Sequence, residues 1–132
     1  MIHRRPTRHS MRAACQVVRL ADFSLIADRM ENLSTWGCLV SPADPVLTGE
    51  HVLVSFQIPG TDERLEVDAT VTRVIHGRRP GENTRKLGLE FENLAPYERF
   101  RLRRALRERP IVPPGPRPGR RSRQFDLAAL LA

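Results

Sequence analysis

The sequence is poor in cysteine and in long apolar runs, and both scarcities exclude classes of protein. Its two cysteines, Cys15 and Cys38, lie in apolar segments at a spacing that fits neither a thiol redox motif nor a zinc site. We therefore expect buried, reduced thiols and a reducing cytoplasm. No apolar run approaches the ~18 residues that a membrane-spanning helix needs. The basic N-terminus leads into no apolar signal segment, so we expect no membrane span and no secretion.

The sequence also lacks the common motifs of an enzyme. Its four histidines, His3, His9, His51 and His76, are scattered and show no metal-ligand spacing. It contains no G-x-S-x-G motif and no phosphate-binding P-loop, and Ser34 has no nearby histidine in the sequence to activate it. We expect no catalytic residue, no metal and no cofactor.

Positive charge is abundant, and almost all of it is arginine. The chain has 22 Lys and Arg against 15 Asp and Glu, a net charge of +7, and Lys86 is the only lysine. Arginine is planar, permanently charged and bidentate, which suits phosphates and guanine edges. A genome rich in G and C would also favour arginine codons. The positions of the arginines are therefore more informative than their total number. Residues 1–12 hold four arginines and no acidic residue.

The hydrophobic pattern divides the chain into a flexible basic arm (residues 1–12), a domain (13–108) and a tail (109–132). Six short segments of the domain have patterns typical of strands, with strict alternation in the fifth. These segments are residues 14–19, 23–30, 36–40, 51–58, 65–74 and 86–91. Because their links are mostly short, they favour a small antiparallel barrel or sandwich.

A helix is predicted over residues 96–107, with Pro96 in its first turn. Tyr97, Phe100 and Leu106 would form its apolar stripe over the barrel, and its other face is rich in arginine. Trp36, the only tryptophan, is expected in the barrel core.

The tail is rich in Pro and Arg, cannot build a core, and is predicted to be an extended or disordered linker. It ends in an apolar octamer, residues 125–132, which could dock on a partner or fold back on its own domain.

Two short motifs bear on function. The arm contains Arg4-Arg5-Pro6-Thr7-Arg8, an RxxxR spacing, and Asn32-Leu33-Ser34-Thr35-Trp36-Gly37 stands where the second predicted strand ends. Each motif is common alone, since Arg-rich chains often contain the first and turns often contain the second. In this order, ahead of a run of strands, the pair is specific.

The pair resembles the signature of the PilZ domain family, bacterial receptors for cyclic di-GMP that combine an RxxxR arm with a (D/N)xSxxG segment. The resemblance covers residues 3–108, including a late strand at 87–91 and a closing helix, and leaves the tail outside. It implies a mainly β fold: a small six-stranded antiparallel barrel with a C-terminal helix. It also implies a non-enzymatic receptor that binds cyclic di-GMP and signals to a protein partner, in processes such as motility or exopolysaccharide control.

The resemblance assigns the ligand contacts of the arm to Arg4, Arg5 and Arg8. Cyclic di-GMP presents two phosphates and two guanines, which require fixed positive charge, bidentate donors and planar surfaces for stacking. Arginine supplies all three. Arg4 and Arg8 would close over the ligand, changing residues 1–12 from disorder to order, and Arg5 would add a phosphate contact.

The second motif would form the floor of the site. The resemblance implies that the Asn32 amide meets a guanine edge and the Ser34 hydroxyl meets a phosphate, while Gly37 permits close approach of the backbone. Arg73 stands where many family members have a ligand-contacting Trp, and it could stack on the ligand or pair with acidic neighbours. Gly88 matches a family glycine that could contact the ligand or simply kink the strand.

Two alternatives remain open. The chain could be a PilZ-fold adaptor that binds a protein partner without any ligand, although the intact motifs argue against it. It could also be a nucleic-acid-binding module that uses the basic arm, helix and tail. We disfavour this second alternative because most of the aromatic residues are placed as core.

Overall fold

The computed structural model describes residues 7–77, 84–107 and 109–110. They form six strands and one helix, and the helix follows the last strand. In chain order these are β1 (His9–Arg19), β2 (Leu25–Leu33), β3 (Gly37–Val40), β4 (His51–Gln57), β5 (Arg64–Ile75), β6 (Lys86–Glu92) and α1 (Pro96–Leu106). The strands close into a barrel in the order β1-β2-β3-β6-β5-β4, and every neighbouring pair is antiparallel. The predicted six-stranded barrel with a C-terminal helix is confirmed.

β5 shows how the sequence pattern selects the inward face. Leu65, Val67, Ala69 and Val71 are buried, as the strict alternation predicts, and the residues between them face outward. The register against β6 then shifts between Val71 and Arg73. Such an irregularity reverses the alternation beyond it. Val74 accordingly packs against the core, and Arg73 is exposed.

The barrel interior is apolar, and all six strands contribute to it. The rings of Phe56 and Phe91 stack inside with centroids 6.1 Å apart. Both cysteines are buried free thiols, as predicted. Burial, with a smaller contribution from Asp28, raises the pKa of Cys15 to about 11, and burial raises the pKa of Cys38 further still.

The first two strands differ from their predicted bounds. β1 begins at His9 rather than at residue 14, so residues 9–12, which we assigned to the arm, are part of the barrel and Met11 is buried. β2 begins at Leu25 rather than at residue 23. Phe23 lies in the preceding turn with a positive φ of 59° and is exposed, so an apolar side chain there does not mark a strand.

The helix has its predicted position but not its predicted apolar stripe. It begins at Pro96, and the Glu98 carboxylate accepts a hydrogen bond from the backbone N–H of Ala95 (3.1 Å). Leu102 and Leu106 are buried in the barrel core, whereas Tyr97 and Phe100 are 67% and 54% exposed. At about 100° per residue, Tyr97 and Phe100 lie on the side of the helix opposite Leu102. The prediction that these two aromatic residues belong to the stripe that packs on the barrel is therefore wrong, whereas the same prediction for Leu106 is confirmed.

α1 lies at the end of the barrel where β1 begins and β2 ends. Arg99 Nε donates to the carbonyl of Thr35 (3.4 Å), and Arg101 forms an ion pair with Glu63 in the turn before β5. No helix in the described part of the chain is long and apolar enough to span a membrane.

Candidate functional site

The antiparallel pairing of β1 with β2 brings the two sequence motifs together. Ser10 pairs with Asn32, and His9 with Leu33, so Arg8 stands beside the end of β2. The Arg8 guanidinium Nη1 donates a hydrogen bond to Asn32 Oδ1 at 3.3 Å across 24 positions of sequence. Asn32 is buried at 7% exposure. The second arginine of the RxxxR motif is therefore held by the first residue of the N-x-S-x-x-G motif.

Ser34 organises the turn between β2 and β3. Its Oγ accepts hydrogen bonds from the backbone N–H groups of Trp36 and Gly37, both at 3.1 Å, and contacts the Gly37 carbonyl at 3.3 Å. The Ser34 N–H donates to the same carbonyl at 2.9 Å. The residue is buried, and these local bonds engage its hydroxyl. In this structure Ser34 fixes the shape of the turn between β2 and β3.

Gly37 is required by the close approach of two strands. It pairs with Glu90 across β3 and β6, and a Cβ at this position would lie 2.0 Å from the carbonyl oxygen of Leu89. Only glycine fits at that distance. The glycine of the motif therefore has a definite packing role next to the candidate site.

Arg8, Ser34 and Gly37 line a cleft of about 270 Å³ at the rim of the barrel, whereas Asn32 is not among the described residues that line it. The lining residues come from the start of β1, the Ser34 turn and the strands β5 and β6. They are Arg8, Ser34, Trp36, Gly37, Thr72, Leu89 and Glu90. Among the described residues, the lining thus combines one cationic side chain, one anionic side chain and one large aromatic ring.

Trp36 lies outside the barrel core, contrary to the sequence prediction. It is 47% exposed and lines the cleft, and the Arg99 guanidinium sits 3.9 Å from the centre of its ring. The reason is local: the hydrogen bonds of Ser34 make residues 34–37 a turn, and β3 begins only at Gly37. The N-x-S-x-x-G pattern itself is the signal that residue 36 belongs to a turn.

Arg73 and Gly88 lie on neighbouring strands beyond the cleft. They pair across β5 and β6, and a Cβ at Gly88 would lie 3.3 Å from Arg73 Cβ and 3.6 Å from its Nε. Gly88 therefore makes room for the Arg73 side chain. Neither is among the described residues that line the cleft, and within the described ranges Arg73 forms no ion pair with Glu66 or Asp68.

The structure adds Thr72 and Glu90 to the candidate site. Thr72 Oγ1 donates to the Gly88 carbonyl at 3.2 Å, at the register shift of β5. Glu90 is the exposed residue between two buried ones, Leu89 and Phe91. The alternation of β6 is therefore a sequence signal that Glu90 faces outward, but the sequence does not show that it faces the cleft.

A second cleft of about 370 Å³ lies farther along β1 and β2. Arg12 and Arg29 line it, together with Lys86 Nζ, which pairs with Glu31 Oε1 at 3.1 Å. None of the predicted ligand contacts that the structure describes lines this cleft. Arg4 and Arg5 lie outside the described residues, and their role stays a prediction.

A closed six-stranded barrel with a helix at one end and a charged cleft at its rim defines a small β-barrel binding domain. The match to a known family is more specific. The PilZ domain model matches residues 2–108, and the chain belongs to the PilZ domain family.

Solved structures share this fold. The PilZ domain of YcgR from Escherichia coli, solved with c-di-GMP, is 24% identical with a TM-score of 0.63, covering 80% of this chain and 89% of that one. The inhibitor of motility MotI/DgrA from Bacillus subtilis is 22% identical with a TM-score of 0.61, covering 83% and 54%. The MrkH–c-di-GMP complex of K. pneumonia is 17% identical with a TM-score of 0.56, covering 82% and 52%.

At these identities the comparisons show a shared fold, and this chain spans about half the length of MotI/DgrA and of MrkH. No curated protein matches the sequence.

Proposed function

We propose that this chain is a non-enzymatic receptor for cyclic di-GMP that passes the level of this second messenger to a protein partner, in processes such as motility or exopolysaccharide control. The observation that carries the proposal is the hydrogen bond by which the buried Asn32 holds Arg8, which lines the rim cleft. Family membership supports it, and so does the YcgR PilZ domain, which has the same fold and was solved with c-di-GMP.

The chemistry of the ligand suits this arrangement. A guanidinium donates two parallel hydrogen bonds to guanine O6 and N7, or to two oxygens of a phosphate. Asn32 holds Arg8 at the rim, and the Ser34 turn with Gly37 forms the adjoining floor. Arg4 and Arg5 would add positive charge for the phosphates, as the RxxxR motif implies.

A route to a partner starts where the beginning of β1 meets the segment after α1. The Ser10 N–H donates to the Pro110 carbonyl at 2.8 Å, and His9 Nδ1 lies 3.0 Å from the Arg109 carbonyl. A ligand that moves Arg8 therefore acts one residue from a contact with this segment. We propose that binding shifts the segment and changes the surface that a protein partner meets.

The adaptor alternative has one specific observation in its favour. Tyr97 and Phe100 expose aromatic rings on the outer side of α1, beside the exposed Arg103 and Arg104. Exposed aromatic and arginine side chains are enriched at protein interfaces. Such a surface needs no ligand, so partner binding that is equal with and without cyclic di-GMP would favour the adaptor. The buried thiols of Cys15 and Cys38 support a reducing cytoplasm for either function.

Isothermal titration of the full chain with cyclic di-GMP tests the receptor function, with GTP and a short single-stranded DNA as controls. We expect saturable binding of cyclic di-GMP and none of GTP. A nucleic-acid-binding module would instead bind the DNA with an affinity that falls steeply as the salt concentration rises, and it would not respond to cyclic di-GMP.

A further inference from the structure

Trp36 lines the rim cleft, and another side chain covers one face of its aromatic ring. The Arg99 guanidinium covers the ring at 3.9 Å from its centre, and Arg99 Nε donates to the Thr35 carbonyl at 3.4 Å. Trp36 is still 47% exposed and lines the cleft. A ring fixed on one side and open to a cleft is a platform on which a planar group can stack with little loss of side-chain freedom.

Glu90 lines the same cleft as this ring. It pairs with Gly37, the residue after Trp36, and the Phe91 N–H donates to the Trp36 carbonyl at 2.7 Å. These bonds hold residue 36 next to β6, and Gly37 lets the two strands approach closely there. The Glu90 carboxylate is exposed, lines the same cleft and has no ion-pair partner in the part of the chain that the structure describes.

A carboxylate in a cleft for a dianionic ligand repels the phosphates unless it faces another part of the molecule. Guanine carries two adjacent donors, N1–H and the N2 amine, which match the two oxygens of a carboxylate. Adenine presents an acceptor at N1 and therefore does not match. Among the bases, the chemistry of Glu90 selects guanine.

We propose that Trp36 and Glu90 together recognise one guanine of the ligand: Trp36 stacks on the base, and Glu90 accepts hydrogen bonds from its N1–H and N2 amine. The inference rests on the proposed function and specifies how the cleft distinguishes bases. In this arrangement Arg8 is left for the Hoogsteen edge or a phosphate.

The fluorescence of Trp36 gives a direct test, because it is the only tryptophan in the chain. Addition of cyclic di-GMP should change its emission with the same dissociation constant that calorimetry gives. Trp36→Leu should weaken binding about tenfold or more, as expected for the loss of one stacked base, whereas Trp36→Phe should retain most of the affinity. Phe100→Leu is the matched control, since that ring is exposed but outside the cleft, and its affinity should equal that of the wild type.

Base selectivity tests Glu90. Cyclic di-IMP lacks the N2 amine, and the wild type should bind it about tenfold more weakly than cyclic di-GMP. Glu90→Gln should reduce that preference to about threefold or less, and Glu66→Gln, an exposed carboxylate of β5 outside the cleft, should leave it unchanged.

The outcomes separate this inference from the receptor function. If calorimetry detects binding but the Trp36 emission does not change, the stacking role is overturned and the receptor function stands. The same conclusion follows if a folded Trp36→Leu variant binds with wild-type affinity. An unaltered base preference in Glu90→Gln would overturn the role of Glu90. Absence of any binding by the wild type would overturn the receptor and this inference together.

Discussion

The Arg8 guanidinium and the Asn32 amide are joined by a 3.3 Å hydrogen bond that spans the first two strands of the barrel. Asn32 is buried and sits in the β1–β2 ladder, so it is a fixed anchor for an arginine that stands just before β1. Arg8 is thereby placed at the cleft before any ligand arrives. Such preorganisation lowers the entropic cost of binding.

Arg8→Ala should weaken cyclic di-GMP binding about tenfold to a hundredfold, because a hydrogen bond from a charged group contributes about 1.5–3 kcal/mol. The temperature of unfolding without ligand should fall only slightly, since Arg8 is not part of the core and only its bond to the Asn32 amide is lost from the described contacts. Calorimetry and thermal unfolding measure the two effects. Arg12→Ala is the control, because Arg12 lies in β1 four residues after Arg8 and lines the other cleft. Equal losses of affinity in both variants would mean that binding depends only on the net charge of the protein.

Ser34→Ala should lower the free energy of unfolding by about 1–3 kcal/mol, because the N–H groups of Trp36 and Gly37 would lose their acceptor. Ligand affinity should fall with it, since the turn borders the cleft. Denaturant unfolding provides the measurement. Ser24→Ala, which removes an exposed bond to Asp22, should cost less than about 1 kcal/mol. An unaltered stability of Ser34→Ala would show that the hydroxyl does not hold the turn.

Gly37→Ala should destabilise the barrel by about 3 kcal/mol or more, because its Cβ would overlap the Leu89 carbonyl oxygen and separate β3 from β6. Gly88→Ala should cost about 1 kcal/mol or less, since its nearest contact, Arg73 Cβ at 3.3 Å, has to give way by only a few tenths of an ångström. Thermal unfolding compares the two. Similar losses of stability in Gly37→Ala and Gly88→Ala would contradict the close approach of β3 and β6 at Gly37.

Much of this molecule could be predicted from its sequence, and the failures have physical causes. The inward alternation of β5 is encoded residue by residue, and Pro96 marks the start of α1. Periodicity does not show which side of an amphipathic helix meets the barrel, and so the sequence predicts Tyr97 on the side that packs on the barrel, whereas Leu102 is the residue buried there. Hydrophobicity likewise misplaced Trp36, whose position is set by hydrogen bonds of the turn.

The candidate site likewise has one part that local sequence patterns predict and another part that they do not. The motifs identified Arg8, Asn32 and the adjoining turn, and strand pairing places them together. Thr72 and Glu90 come to the cleft only through the register of β5 and β6. That register depends on contacts between distant segments, which no local pattern in the sequence specifies.

The buried thiols should react with a thiol reagent only after unfolding. Burial raises the pKa of Cys15 from 9.0 to about 11, which lowers its thiolate fraction near pH 8 about a hundredfold in addition to blocking access. Since the folded-state pKa is the higher one, the neutral thiol stabilises the fold fully below about pH 9, and this stabilisation is lost as the pH rises toward about 11.

Denaturant unfolding between pH 8 and 11 measures this loss of stability. As the pH rises, the free energy of unfolding should fall less in Cys15→Ala than in the wild type. Rapid reaction of both thiols in the native protein at pH 8 would contradict their burial.

The most direct test of the central claim is the position of bound cyclic di-GMP, measured by backbone amide chemical shifts in a ¹⁵N-labelled full-length chain. We predict saturable shifts concentrated at residues 8–10, 32–37 and 88–91, around the rim cleft. Residues 29–31 and 84–86, around the second cleft, should shift much less. Shifts concentrated at the second cleft, or none at saturating ligand, would contradict a cyclic di-GMP site built on Arg8 and Asn32.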